Sequence, residues 1–135
     1  MPDVANRGAL RSSIAPWLSV RDGAKAAQFY KTAFGATEVY HLDGPNGSVI
    51  VRLSVDGGEC WVSGDSLGED NPSAEPVGGG TVRMILTVAD PDAVFAQAVK
   101  AGASVVFPVG EEHGWRLGRV VDPFGLHWEI GRPLN

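Results

Sequence analysis

Cysteine is all but missing: Cys60 is the only one in 135 residues, so no intrachain disulfide can form. Basic residues are also scarce. Eleven Lys and Arg stand against sixteen Asp and Glu, a formal net charge of −5. That balance excludes a nucleic-acid partner, because a phosphate backbone needs a basic face. Long apolar runs are absent too. None approaches the ~20 residues of a membrane span, so no membrane partner is expected. The opening MPDVANRGALRSS lacks the apolar core of a signal peptide, and with the lone cysteine this points to the cytoplasm. What the chain does have is turn formers, with 18 glycines and nine prolines, and an ordinary 44% of hydrophobic residues. The length suits one domain, or two small similar halves sharing a core.

The chain repeats itself. LSVRDGAKAAQFYKTAFGATEVY (18–40) matches LTVADPDAVFAQAVKAGASVVF (86–107) as strand, Asp, amphipathic helix, Gly-Ala and β-branched strand. The offset is 68 from Leu18 to Leu86 and 67 from Gly35 to Gly102. GGECWVSG (57–64) aligns with FGLHWEIG (124–131), Trp61 above Trp128, with an offset of 67. A period of half the chain implies two modules and not a solenoid.

Each module reads β-α-β-β-β, an α+β fold. A strand near 14–20 precedes Asp22, which caps a helix running to Phe34 with Ala26, Phe29, Tyr30 and Ala33 at helical spacing. Gly35 suits its C-terminal cap. Strands follow near 36–41, 48–55 and 59–63. The second module has strands near 81–88, 103–108, 115–121 and 126–131 and a helix over 91–101, opened by the Asp90-Pro91 pair. Residues 1–12 read as a loose arm, 13–63 and 81–131 as the modules, 64–80 as a Gly-, Pro- and Ser-rich linker and 132–135 as a tail. The GGG at 78–80 has no lysine after it and reads as a turn.

Strand alternation puts His127 and Glu129 of DPFGLHWEI on one face. Residues two apart on a strand sit ~6.5–7 Å apart, which is awkward for a single ion.

APWLSVRDGAKAAQFYKTAFGA, AVKAGASVVFPV and GWRLGRVVDPFGLHWEI, in this order, resemble the vicinal-oxygen-chelate superfamily, and within it the PhnB-like branch. The superfamily includes glyoxalase I, bleomycin- and fosfomycin-resistance proteins and extradiol dioxygenases. The resemblance covers roughly residues 14–131. It implies two tandem modules forming a curved, cavity-enclosing mixed sheet, within one chain or across a homodimer. It also implies four metal-ligand positions, in the first and last strand of each module. Carried over, these are Arg83 and Glu129 in module two and, by the repeat offsets, Ala15 and Val62 in module one. A one-residue slip would replace Val62 by Trp61 or Ser63. Alanine and valine donate nothing, and an arginine repels a divalent cation. No metal and no cofactor is therefore expected.

Arg83 and Glu129 then pair with each other as a structural salt bridge, or Arg83 holds an anionic or carbonyl group of a ligand. Trp17, Ser19, Ile85 and Thr87 share the faces of Ala15 and Arg83 and should line the cavity. Trp17 stacks on a flat ligand or is plain wall. Arg116 faces the cavity mouth or braces its strand. Trp61 and Trp128 read as core beneath the helices. Cys60 reads as a small buried hydrophobe, or as a cavity residue beside Val62. His113 reads as a solvated loop residue and His41 as a surface residue. No Ser-His-Asp arrangement is visible in the spacing.

The expected ligand-binding set is thus Trp17, Ser19, Arg83, Thr87, Arg116, His127 and Glu129, around a small-molecule partner. The leading expectation is a metal-independent binding or sequestering protein. The alternative is a glyoxalase-type lyase or isomerase working without metal, with Glu129 as base and Arg83 as electrostatic stabiliser. A protein whose pocket is vestigial is the third reading.

Overall fold

The computed structural model describes residues 13–64 and 82–134. The expected N-terminal arm, the linker from residue 65 onward and the GGG turn lie outside the described residues.

The first module runs β1 (Trp17–Ser19), α1 (Gly23–Phe34), β2 (Thr37–Asp43), β3 (Val49–Val55) and β4 (Gly58–Gly64). The second runs β5 (Met84–Thr87), α2 (Pro91–Ala101), β6 (Ser104–Glu112), β7 (Trp115–Val121) and β8 (His127–Pro133). Each forms its own four-stranded mixed sheet, in the orders β1-β4-β3-β2 and β5-β8-β7-β6. The α+β fold of two tandem β-α-β-β-β modules is as the repeat predicts. The sheets are separate, however, and neither encloses a cavity by itself. β1 and β5 are shorter than expected, and β8 continues into the expected tail.

Both helices start and stop on local chemistry. Asp22 and Asp90 accept hydrogen bonds from the backbone N–H of Lys25 and Ala93, each at 3.1 Å, which satisfies an orphan donor of the first turn. Gly35 ends α1 in the left-handed conformation (φ 71°) and returns its N–H to the Lys31 carbonyl.

The helices pack on one face of their sheets and on each other. Val49, Val51 and Leu53 alternate inward along β3, and Val62 and Ile130 are fully buried on β4 and β8. They join Phe29, Tyr30, Phe34, Ala98 and Trp128 in one core spanning both modules. Asp122 pins that core. Tyr30 Oη (2.6 Å) and Trp128 Nε1 (2.9 Å) donate to its Oδ2. The backbone N–H groups of Phe124 and Leu126 donate to its Oδ1, each at 2.9 Å. Gln97 Nε2 adds a tie from α2 to the carbonyls of Thr32 and Ala33 on α1, at 2.8 and 3.0 Å. A buried carboxylate is tolerable when its oxygens are so fully bonded.

The register of the repeat differs from the sequence alignment. Trp17 lies beside Trp61 and Ile85 beside Glu129, so the offset is 68 at both the first and the last strand. Between them it is 67, since Arg52 pairs with Trp61 and Arg119 with Glu129. The residue is regained at the last hairpin. Asp56-Gly57 joins β3 to β4, where Val55 and Gly58 pair, whereas Pro123-Phe124-Gly125 closes between Asp122 and Leu126, whose backbones bond at 2.8 Å. Glu129 therefore corresponds to Trp61, and Val62 corresponds to the core residue Ile130.

Candidate functional site

Among the described residues no helix packs on the second face of either sheet. On it the strands set out one in-register row per module. In module one the row is Tyr40, Arg52, Trp61 and Trp17, from β2 to β1. In module two it is Phe107, Arg119, Glu129 and Ile85. Both rows therefore place an aromatic ring beside an arginine. They differ at the next two places.

The first row is an aromatic platform. Trp17 and Trp61 stack with centroids 5.7 Å apart and planes 16° apart, and Tyr40 meets Trp61 edge-on at 5.7 Å. Arg52 lies over the Trp61 ring at 5.3 Å and pairs with Glu59 at 3.2 Å. Trp17 Nε1 donates to Ser63 Oγ at 2.9 Å, which fixes the indole while leaving it 52% exposed. Trp61 was expected in the core. The extra hairpin residue of module two shifts the register, so Trp61 faces outward and Cys60 takes the place equivalent to Trp128. Cys60 accordingly packs against the core, and burial pushes its thiol up to about 11.

The second row is charged. Arg83 Nε lies 2.8 Å from Glu129 Oε2, as its pairing predicts, and Arg119 Nη2 donates to the same oxygen at 3.2 Å. Glu129 is mostly buried, Arg119 partly, and Arg83 half-exposed. Arg119 also lies over the Phe107 ring at 5.5 Å. Sequence reasoning missed Arg119, although alternation along Trp115-Arg116-Leu117-Gly118-Arg119 gives its side. Ile85, Trp115, Leu117, Glu129 and Gly131 line a cavity of about 200 Å³. A Cβ on Gly131 would come within 2.6 Å of Leu117, so the bare glycine keeps β7 and β8 close and the cavity floor open. His127 shares this face, with Nδ1 buried and unpartnered. Ser19 and Thr87 flank the rows on the same sides as Trp17 and Ile85.

Arg116 does not join the group. The same alternation turns it to the helix side, where its Nε and Nη2 hold the Asp92 carboxylate of α2 (2.9 Å to Nη2) and Glu111 lies 3.6 Å away. It braces the sheet against the helix. His113 is exposed on the β6–β7 turn, and His41 lies between Glu38 and Asp43 at the edge of β2. A second cavity, of about 330 Å³, opens at the seam between modules beside Tyr30, Phe34, Cys60, Met84 and Leu86. Its walls are largely apolar and offer little chemistry beyond Glu59 at its rim.

A sequence model of the glyoxalase/bleomycin resistance protein/dioxygenase superfamily matches residues 12–130. The chain belongs to that superfamily. It is 38% identical over 128 residues to an uncharacterised protein of Mycobacterium bovis, covering 91% of this chain and 84% of that one. Among solved structures, a gene product of Arabidopsis thaliana superposes with a TM-score of 0.70 at 31% identity, covering 91% of this chain and 100% of that one. TioX from Micromonospora sp. ML1 gives 0.67 at 26%, with the same coverage. The fosfomycin resistance protein FosX of Listeria monocytogenes shares the fold at 0.70 and 15% identity, over 92% of this chain and 94% of that one.

The donor set does not fit the divalent metal that superfamily membership raises. With the register corrected, the four family positions are Ala15, Trp61, Arg83 and Glu129. Only Glu129 offers a good donor, and two guanidiniums already converge on its Oε2. A metal site needs three or four N, O or S atoms converging on one point. Among the described residues no cluster of three or more His, Cys, Asp and Glu side chains suits an ion.

Proposed function

We propose that this superfamily member, of the PhnB-like branch, is a metal-independent binding protein for a small organic molecule. It works as a cytoplasmic homodimer, and its ligand sits on the uncovered sheet faces. The carrying observation is the Arg83–Glu129–Arg119 cluster at the family's metal position. Two fixed cations occupy the charge role that a metal would have. Around them lie an open cavity and, in the other module, an aromatic platform built for contact with a flat group. Trp17, Ser19, Arg83, Thr87, His127 and Glu129 are its ligand-contacting residues, and Arg119 joins them.

The test combines metal analysis of the purified protein with a melting screen against small organic compounds. No stoichiometric Zn, Ni or Mn, together with ligand-induced stabilisation that grows with concentration, is the expected result. A stoichiometric metal lost on Glu129→Ala would overturn the reading. The metal-free lyase or isomerase is a second reading because Glu129, the one carboxylate lining the cavity among the described residues, stands beside two guanidiniums. It requires a turnover that both Glu129→Gln and Arg83→Gln abolish.

A further inference from the structure

Resting on that binding reading, we infer that the second module's open face takes a small organic monoanion. Arg119 and Arg83 hold its carboxylate, and its apolar body lies against Ile85, Trp115 and Leu117.

Charge is the first argument. Among the described residues two guanidiniums share one carboxylate, so their group carries one uncancelled positive charge in a chain whose net charge is −5. Glu112 lies opposite Trp115 at the far end of the strands, and its partner is His113 at 3.8 Å. It does not reach the cluster.

Geometry is the second. Both cations meet Glu129 through a single oxygen. Arg83 pairs with it through Nε and is half-exposed, while Arg119 donates from Nη2 and keeps Nε buried with no hydrogen-bond partner. An incoming carboxylate meets the half-exposed Arg83 guanidinium in the planar geometry that it matches, with the Arg119 charge behind it.

The repeat supplies a control. Arg52 stands at the place of Arg119 and its Nε too is buried without a hydrogen-bond partner, so the contrast is one of charge: Glu59 balances Arg52, and Ala15 replaces the second arginine. The positive excess therefore belongs to module two alone. Beside it, Ile85 is 59% exposed and the Gly131 floor is bare, which leaves room for an apolar body. A cation would face like charge here. A neutral carbonyl would accept from the guanidiniums but leave the positive charge uncancelled.

The test uses the full chain, with benzoate, benzamide and benzylamine as probes of one shape and three charges. The indole N–H signals of Trp17, Trp61, Trp115 and Trp128, assigned by single Trp→Phe variants, report the face. Benzoate should move the Trp115 signal to saturation. Benzamide should bind at least tenfold more weakly, and benzylamine should not bind. Arg119→Gln should weaken benzoate tenfold or more. Lys100→Gln, the same charge change on the exposed side of α2, should not. Should Arg119→Gln fail to fold, Arg83→Gln and the probe series on the native chain decide. Equal binding of benzoate and benzamide overturns the anion assignment and leaves the binding reading standing. Failure of all three probes, and of the compound screen above, sinks both.

Discussion

Trp61 stands in the first sheet where Glu129 stands in the second, each between an arginine on one neighbouring strand and an apolar side chain on the other. One backbone plan thus carries two chemistries. In the first, a guanidinium rests on an indole. In the second, the corresponding guanidinium meets a carboxylate, and a second arginine, Arg83, completes the cluster.

The arginine pair around Glu129 should behave non-additively. Arg83 is half-exposed, so Arg83→Ala alone should cost only ~0.2–1 kcal/mol of stability. Arg119→Ala should cost about 1 kcal/mol or somewhat more, because its ring contact with Phe107 goes too. Removing both leaves a mostly buried carboxylate with no cation, and the loss should exceed the sum by at least ~0.5 kcal/mol. A double-mutant cycle in urea measures this, and strict additivity would contradict the shared-oxygen geometry.

Tyr30→Phe should lower stability by ~1.5–3 kcal/mol, the usual worth of a bond to a charged group, because it removes a donor from buried Asp122. Burial, with Asp122 second, raises the phenol well above its ordinary 10.0 in the folded state. The unfolded chain therefore loses this proton first. The contribution is fully present below about pH 10 and is lost as pH rises toward the folded value. In a Tyr40→Phe background, phenolate absorbance should appear together with alkaline unfolding and not before it.

Cys60 should be a poor nucleophile in the folded protein. Raising its thiol from 9.0 to about 11 cuts the thiolate fraction near neutral pH roughly a hundredfold. Disulfide-exchange reagents at pH 8 should label it at least that much more slowly than in urea. Equal rates would place the thiol outside the core.

Light scattering at micromolar concentration should give twice the mass of one chain. The uncovered faces expose Trp17 and Ile85, and the long edge strands β2 and β6 have unpaired outer backbones. Trp17→Asp combined with Ile85→Asp should shift the protein toward monomer. A clean native monomer would contradict the dimer.

Much of this was legible before any coordinates. Asp22, Gly35 and Asp90 mark helix ends because caps are local chemistry. The Arg83–Glu129 pair was legible because the family resemblance implies converging positions in the first and last strands of module two, and these two residues fall on them. Trp61 was not, because strand facing has period two and one extra residue in a hairpin inverts it. Aligning Trp61 with Trp128 matched residue identity and missed position. Arg116 had two readings, and the structure shows the bracing one; Arg119 was overlooked although alternation along Trp115–Val121 turns it, and not Arg116, toward Glu129.

The Asp122 and Gln97 ties lie wholly on the helix side of the sheets, where both modules depend on one another. The outward rows share no such bond. A substitution at Trp61 is therefore insulated from Glu129, and either face can drift toward a new ligand without loosening its twin. Duplication in this chain has set two chemically different faces on one scaffold that neither half can abandon.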